Sequence, residues 1–191
     1  MNSRERVLAA CRFEEPDRVP IDLGGSTGAS SIHMRAYDNL RRHLGLPAGR
    51  VVCDDIMQML ARVEGDVRER FGVDVAAIDP TSVVRDWESH PLLDGIDVRL
   101  PAGMDLKRQA DGTWVLVHPN GKRYLKPPAS HYFDAEDGKG WYGLGPALTD
   151  ETLAALQTHA RTLYTETDLA LTARFGGGFS SHQPERSEEH V

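Results

Sequence analysis

The run Val73-Asp74-Val75-Ala76-Ala77-Ile78, closed by Asp79-Pro80, is nearly continuous in apolar residues. A strand with one wet face alternates apolar and polar side chains. A strand covered on both faces does not, and such strands belong to parallel sheets flanked by helices. Two other segments read the same way, Val19-Pro20-Ile21-Asp22-Leu23 and Leu169-Ala170-Leu171-Thr172-Ala173. Helical patterns separate them. Strand and helix in alternation imply right-handed parallel units, so the predicted fold class is α/β.

The first helix starts at Asn2 or Ser3. Asn2 and Glu5 have capping-box spacing, and Val7, Leu8 and Cys11 form a narrow apolar stripe. Pro16 disfavours helical geometry at Glu15 and stops it. The Val19–Leu23 strand tolerates Pro20 where the missing donor faces no neighbour. Gly24-Gly25 then release the chain into a Gly/Ser loop. A second helix, capped by Ser30 or Ser31, places Ile32, Ala36, Tyr37, Leu40 and Leu44 on one face and ends at Gly45 and Pro47. A third is expected from Asp54-Asp55 to Gly72, because Ile56, Met59, Leu60, Val63, Val67 and Phe71 recur at steps of about three and four. A fourth begins at Thr149, with Asp150 and Glu151 in its first turn. Its inner face is expected to hold Leu153, Leu156, Ala160, Leu163, Tyr164 and Thr167.

Helical periodicity disappears between residues 81 and 148. Asp111-Gly112 and Asn120-Gly121 stand before short β-rich runs, which is the strongest short-range hairpin signal. This region reads as an antiparallel meander inserted between α/β units. Residues 1–180 are expected to form one domain around it, followed by a patternless polar tail at 181–191.

The net charge of -7 argues against a nucleic-acid or anionic-membrane partner. The basic pairs Arg4/Arg6, Arg41-Arg42 and Lys122-Arg123 read as solvated faces. Cys11 and Cys53 lack metal-ligand spacing, which fits a reduced, cytoplasmic setting. No apolar run reaches the ~18 residues that span a membrane. Met57, Met59 and Met104 read as core.

In a parallel α/β barrel the chemistry collects at the carboxyl ends of the strands. That rule selects Asp22, Asp79 and the loops beside them. Asp22 either orients a cationic or N–H-bearing ligand or binds backbone donors close by. Asp79 either accepts from a ligand N–H or initiates an Asp-Pro turn. Both are candidate catalytic acids. Gly24, Gly25, Gly176 and Gly177 allow close approach of a flat ligand. His33 is a candidate proton donor or a surface residue. Arg35 either pairs a substrate carboxylate or faces solvent. Asp54-Asp55 read as a helix cap with a dipole partner rather than a metal pair, and no metal site is expected.

The run "SRERVLAACRFEEPDRVPIDLGG" resembles the amino terminus of the uroporphyrinogen-decarboxylase superfamily, which includes the tetrapyrrole decarboxylase and the corrinoid-linked methyltransferases. The "EEPDRVP" step from helix to strand is its specific part. The resemblance extends to "RTLYTETDLALTARFGGG" and covers Ser3 to about Phe175. It implies the amino-terminal part of a (β/α)8 barrel whose cleft takes a tetrapyrrole or the corrinoid of a partner protein. A complete barrel needs ~250 residues. An open portion would expose a strand edge, which implies a homodimer or another partner along that edge. In the decarboxylase branch an arginine-rich "MRQAGR" follows the first strand. Here "GGSTGASSIHMR" stands, with Arg35 the nearby arginine. The expected reaction is therefore corrinoid-dependent methyl transfer, with uroporphyrinogen decarboxylation as the alternative. In the methyltransferase branch zinc activates a thiol through His and Cys ligands beyond the matching region. The reading from another class is a non-catalytic, partner-binding half-domain.

Overall fold

The computed structural model describes residues 1–25, 29–84, 86–117, 121–138 and 149–173. Helix α1 (Ser3–Cys11) leads to an extended segment and to α2 (Met34–His43). Strands β1 (Arg50–Asp55) and β2 (Leu60–Ala61) come next, then α3 (Gly65–Phe71) and β3 (Val75–Ile78). A 3-10 turn at Pro80–Val83 precedes β4 (Trp87–Leu93) and β5 (Ile96–Pro101). Strands β6 (Asp105–Arg108), β7 (Trp114–Val117), β8 (Arg123–Lys126) and β9 (Asp134–Ala135) follow. Helix α4 (Asp150–Glu166) and β10 (Ala170–Ala173) complete the described chain.

The architecture is mixed α/β. Among the described residues the strands form three sheets: β2-β1-β5-β4, the parallel pair β10-β3, and the antiparallel β6-β7-β8-β9. None of them closes into a barrel. The pairing of β3 with β10, from Ala170 opposite Val75 to Ala173 opposite Ile78, is the parallel contact expected of the two apolar runs. The meander at β6 to β9 is also as expected.

Three expectations fail. Residues 19–23 join no sheet among the described residues; the Ile21 carbonyl accepts from the N–H of Asp74, just before β3, at 2.8 Å. The helix expected from Asp54 exists only as α3. The residues before it form β1, a turn through Met59 (φ 56°), and β2, because Val51 and Cys53 pair into a sheet that local periodicity does not reveal. Residues 81–148 are not one meander. Strands β4 and β5 join β1 instead, with β5 parallel to it. The main core lies where that mixed sheet meets α2, α3 and the meander, around Tyr37, Val51, Met59, Val67, Leu100 and Tyr124. Met57 and Met59 belong to it, and Met104 packs against it.

Helix boundaries follow local chemistry. Asn2 and Glu5 form the capping box, and Thr149 accepts from Thr152 N–H at 3.1 Å. Gly72 ends α3 in the left-handed conformation (φ 60°). His33, not Ser30 or Ser31, caps α2 through Nδ1. The buried face of α1 is Arg6 and Ala9, while Leu8 and Cys11 are exposed. Of the face expected on α4, Leu156 is buried, but Leu153 and Tyr164 are exposed.

Arg6 is buried because Asp74 is. The Asp74 carboxylate is fully enclosed and accepts five bonds: Ser3 Oγ at 2.7 Å, Arg6 Nη1 at 2.6 Å, Arg18 Nη1 and Nη2 at 2.7 and 2.9 Å, and Ile21 N–H at 2.8 Å. Arg6 also grips Asp17 in a two-bond fork at 2.6 and 2.9 Å. Arg41, read from sequence as solvated, is buried between Tyr37 and a bidentate bond to Asp66 at 2.9 and 2.8 Å. In both cases a planar guanidinium finds a fixed carboxylate fork.

Burial by itself would raise the Asp74 pKa, but the Ile21 N–H, Ser3, Arg18 and Arg6 together hold it below the usual carboxylate range. The stability it contributes is therefore present above the unfolded pKa of about 3.9 and is lost as the pH falls through the lower folded value. Asp74→Ala, which leaves the Ser3, Arg6 Nη1, Arg18 and Ile21 donors without their shared acceptor, should cost about 3–5 kcal/mol near neutral pH. Chemical denaturation should show that deficit shrinking below about pH 4.

Candidate functional site

Strand β1 ends in Cys53-Asp54-Asp55, and β3 ends one residue before Asp79. Asp79 caps the 3-10 turn. Its buried carboxylate accepts from Thr81 N–H at 2.8 Å and Ser82 N–H at 3.2 Å, and Ser82 Oγ accepts from Asp79 N–H. The turn carries Thr81 to a point where Oγ1 touches both Asp79 Oδ1 and Asp54 Oδ1, the latter at 3.0 Å. A hydroxyl has one proton to donate. It cannot serve two ionised carboxylates at once. The arrangement is fully bonded when one carboxyl is protonated and donates to Thr81, which donates to the other.

Asp54 is biased toward its protonated form. Its side chain is 8% exposed. Burial raises its pKa, and Asp79 raises it further, while Arg62 and Thr81 oppose the rise without cancelling it. Arg62 is held at 3.1 Å from Asp54 Oδ1 and 2.8 Å from Thr81 O, with its guanidinium 5.0 Å above the Trp87 ring. His159 on α4 stands near enough to feel the charges of Arg62 and Asp79. Burial lowers its pKa first and the Arg62 charge lowers it further, while Asp79 raises it, so it is a neutral imidazole near pH 7. A carboxyl with an elevated pKa, linked through a hydroxyl to a second carboxyl group, is the equipment of general acid–base chemistry. The Cys53 thiol is fully buried and its pKa is pushed up by burial, Asp55 and Asp54, which makes it unreactive.

The structure disperses the sequence candidates. Asp79 belongs to this group. Asp22 closes its own loop, accepting from Gly25 N–H and Ser30 Oγ, each at 2.8 Å. Gly24 (φ 77°) and Gly25 are close-packed: a Cβ on either would stand 2.6 Å from Val63 or 2.7 Å from Val75. Thr172 Oγ1 donates to the Gly25 carbonyl, tying that loop to β10. Gly176 and Gly177 lie outside the described residues. His33 and Arg35 line a different cleft, which shares no residue with the carboxylate group.

Asp54, Arg62, Thr81 and His159 are absent from the sequence candidates. Asp54-Asp55 do not cap a helix; they end a strand. The apolar Val51-Val52-Cys53 before them was the available signal, masked by the helical spacing that follows. Among the described residues no three His, Cys, Asp or Glu side chains converge to hold a metal ion, and no helix is long and apolar enough to cross a membrane.

Asp54 has the opposite pH linkage to Asp74. Its raised folded pKa means that the folded chain binds the proton more tightly than the unfolded chain, so its ionisation at higher pH costs stability. The melting temperature of Asp54→Asn relative to wild type should therefore rise as the pH is raised from about 4 to 8. Thermal melts across that range test this, and a pH-independent difference would rule out the proton-holding role.

Compared with known proteins, the chain matches no family model, no curated protein and no solved structure.

Proposed function

We propose that this chain is the amino-terminal part of an enzyme of the uroporphyrinogen-decarboxylase superfamily, acting on a tetrapyrrole- or corrinoid-linked substrate. The reaction is corrinoid-dependent methyl transfer. The observation that carries an enzymatic reading is the Thr81 hydroxyl held between the Asp54 and Asp79 carboxyl groups, at the end of β1 and just past the end of β3. The support for the superfamily is the "EEPDRVP" segment, whose Asp17 and Arg18 interlock with Arg6 and Asp74, and the parallel β3–β10 pair on which a barrel wall would continue.

A corrinoid, when bound, supplies the centre that accepts or donates the methyl group. The residues here do something separate. Asp54 holds a proton for a departing oxygen or nitrogen, Thr81 relays it, and Asp79 accepts from a ligand N–H. No zinc step is assigned to these residues.

The same equipment favours a second reading, tetrapyrrole acetate decarboxylation. There CO2 leaves, a proton takes its place, and carboxylates hold pyrrole N–H groups. Exposed Phe13 and Val19 support the third, a partner-binding half-domain that buries an apolar edge against a second copy or a corrinoid protein. Free Cys11 and Cys53 suit a cytoplasmic setting.

The test is saturable binding of uroporphyrin and of cobalamin, each followed by its absorbance shift on titration with the 191-residue chain. One of them should bind, with a dissociation constant below about 100 µM. Asp79→Asn should weaken it by about tenfold or more, the scale of one lost charge-assisted bond. Binding of neither ligand would overturn the superfamily reading.

A further inference from the structure

Strands β6, β7 and β8 set Arg108, Trp114 and Lys126 directly opposite one another, in register across three strands. They form one row on one face of the meander, and the Arg108 guanidinium stands 5.8 Å from the Trp114 ring. Lys126 falls where the alternation of β8 points inward, two residues after the fully buried Tyr124. An apolar residue is the ordinary choice there. Lys126 is instead 8% exposed and has no hydrogen bond or ion pair among the described residues.

The row forms one wall of a cleft of about 610 Å³. The start of α2 supplies His33 and Arg35 to the other wall, and the end of β4 supplies Leu92 and Leu93. His131 stands edge-on to His33, ring centres 6.2 Å apart. His33 Nδ1 accepts from Arg35 N–H, so the neutral ring carries its proton on Nε2. That Nε2 is buried and makes no hydrogen bond of normal geometry, although the His131 backbone acts on the ring as an acceptor. The guanidinium groups of Arg35 and Arg108 also have no carboxylate partner among the described residues. Burial lowers the Lys126 pKa, and the Arg108 and Arg35 charges lower it further. Asp94 also lines the cleft, but no acid appears among the groups acting on Lys126 or His33.

Three cations line the cleft, Lys126 buried and Arg35 and Arg108 exposed, with the exposed Asp94 as the acid among the lining residues, in a chain of net charge -7. Buried charges are ordinarily paired. We propose that this cleft binds a small multivalent oxyanion on an apolar body, a phosphate ester or a polycarboxylate. Lys126, Arg35 and Arg108 meet its charges, His33 Nε2 donates to one oxygen, and its body lies against Trp114. This inference is independent of the superfamily reading and of the Asp54–Asp79 pair.

Isothermal titration of the chain with pyrophosphate and, separately, with citrate tests it, in about 150 mM salt so that diffuse attraction is screened. One of the two should bind with a dissociation constant below about 1 mM. Pyrophosphate alone identifies a phosphate site, and citrate alone a carboxylate site. Lys126→Met and Arg35→Gln should each weaken binding by about tenfold or more. Without ligand, Lys126→Met should melt no lower than wild type, since it removes an unpaired buried charge, whereas a purely structural lysine would lower the melting temperature. Should Lys126→Met fail to fold, the exposed Arg35→Gln decides. Absence of binding by both anions, or binding unchanged in Arg35→Gln, overturns the proposal. No tetrapyrrole is used, so this result is separate from that of the porphyrin titration.

Discussion

The enclosed Asp74 carboxylate organises the amino-terminal part of the fold. It accepts from Ser3 and Arg6 on α1, from Arg18 in the turn after it, and from the Ile21 main chain. Its own main chain bonds Ile21 on one side and Ala170 on the other. One side chain thus fixes α1, the extended segment and the start of both parallel strands. Arg4 secures the same corner from outside, donating to the carbonyls of Tyr164 and Thr167 at the end of α4 and stacking 4.0 Å over the Tyr164 ring. A buried carboxylate tolerates this position only because every lone pair has a donor.

Asp54 is buried under the opposite conditions. Asp74 meets two arginines and main-chain and hydroxyl donors, and is driven to ionise. Asp54 has Arg62 on one side but a second carboxylate across a single hydroxyl, and burial outweighs the cation. Two aspartates in one small fold are therefore pushed apart in proton affinity. One is held as the anion and the other is biased toward its protonated form. The basic cleft adds a third electrostatic environment, in which Lys126, Arg35 and Arg108 gather without an ion-pair partner among the described residues. These three sites account for the uneven placement of charge in an acidic chain.

Much of the secondary structure was legible wherever a local rule decides it. The Asn2/Glu5 box, the Thr149 cap, the Gly72 stop, the Asp111-Gly112 hairpin and the apolar runs of β3 and β10 all follow from nearest-neighbour chemistry. Legibility failed where a partner far along the chain decides. Ile56 to Phe71 carry helical spacing, yet Cys53 and Ala61 pair across a turn, and β1 lies parallel to β5 more than forty residues on. The extended run 19–23 reads as a strand but serves as a strap, held by Asp74 instead of a ladder.

The sequence by itself determined the α/β class, the apolar strands, the helix ends and Asp79 as a strand-end acid. Those depend on propensity, capping and period, which act over a few residues. Tertiary structure alone decided which charges are buried and with whom. Arg6 and Arg41 left the surface because carboxylates 68 and 25 residues away were placed to receive them. Asp54 faces a second carboxyl group across one hydroxyl because the turn after β3 set Thr81 between it and Asp79. Burial and pairing are properties of the assembled fold, and no window of local sequence contains them.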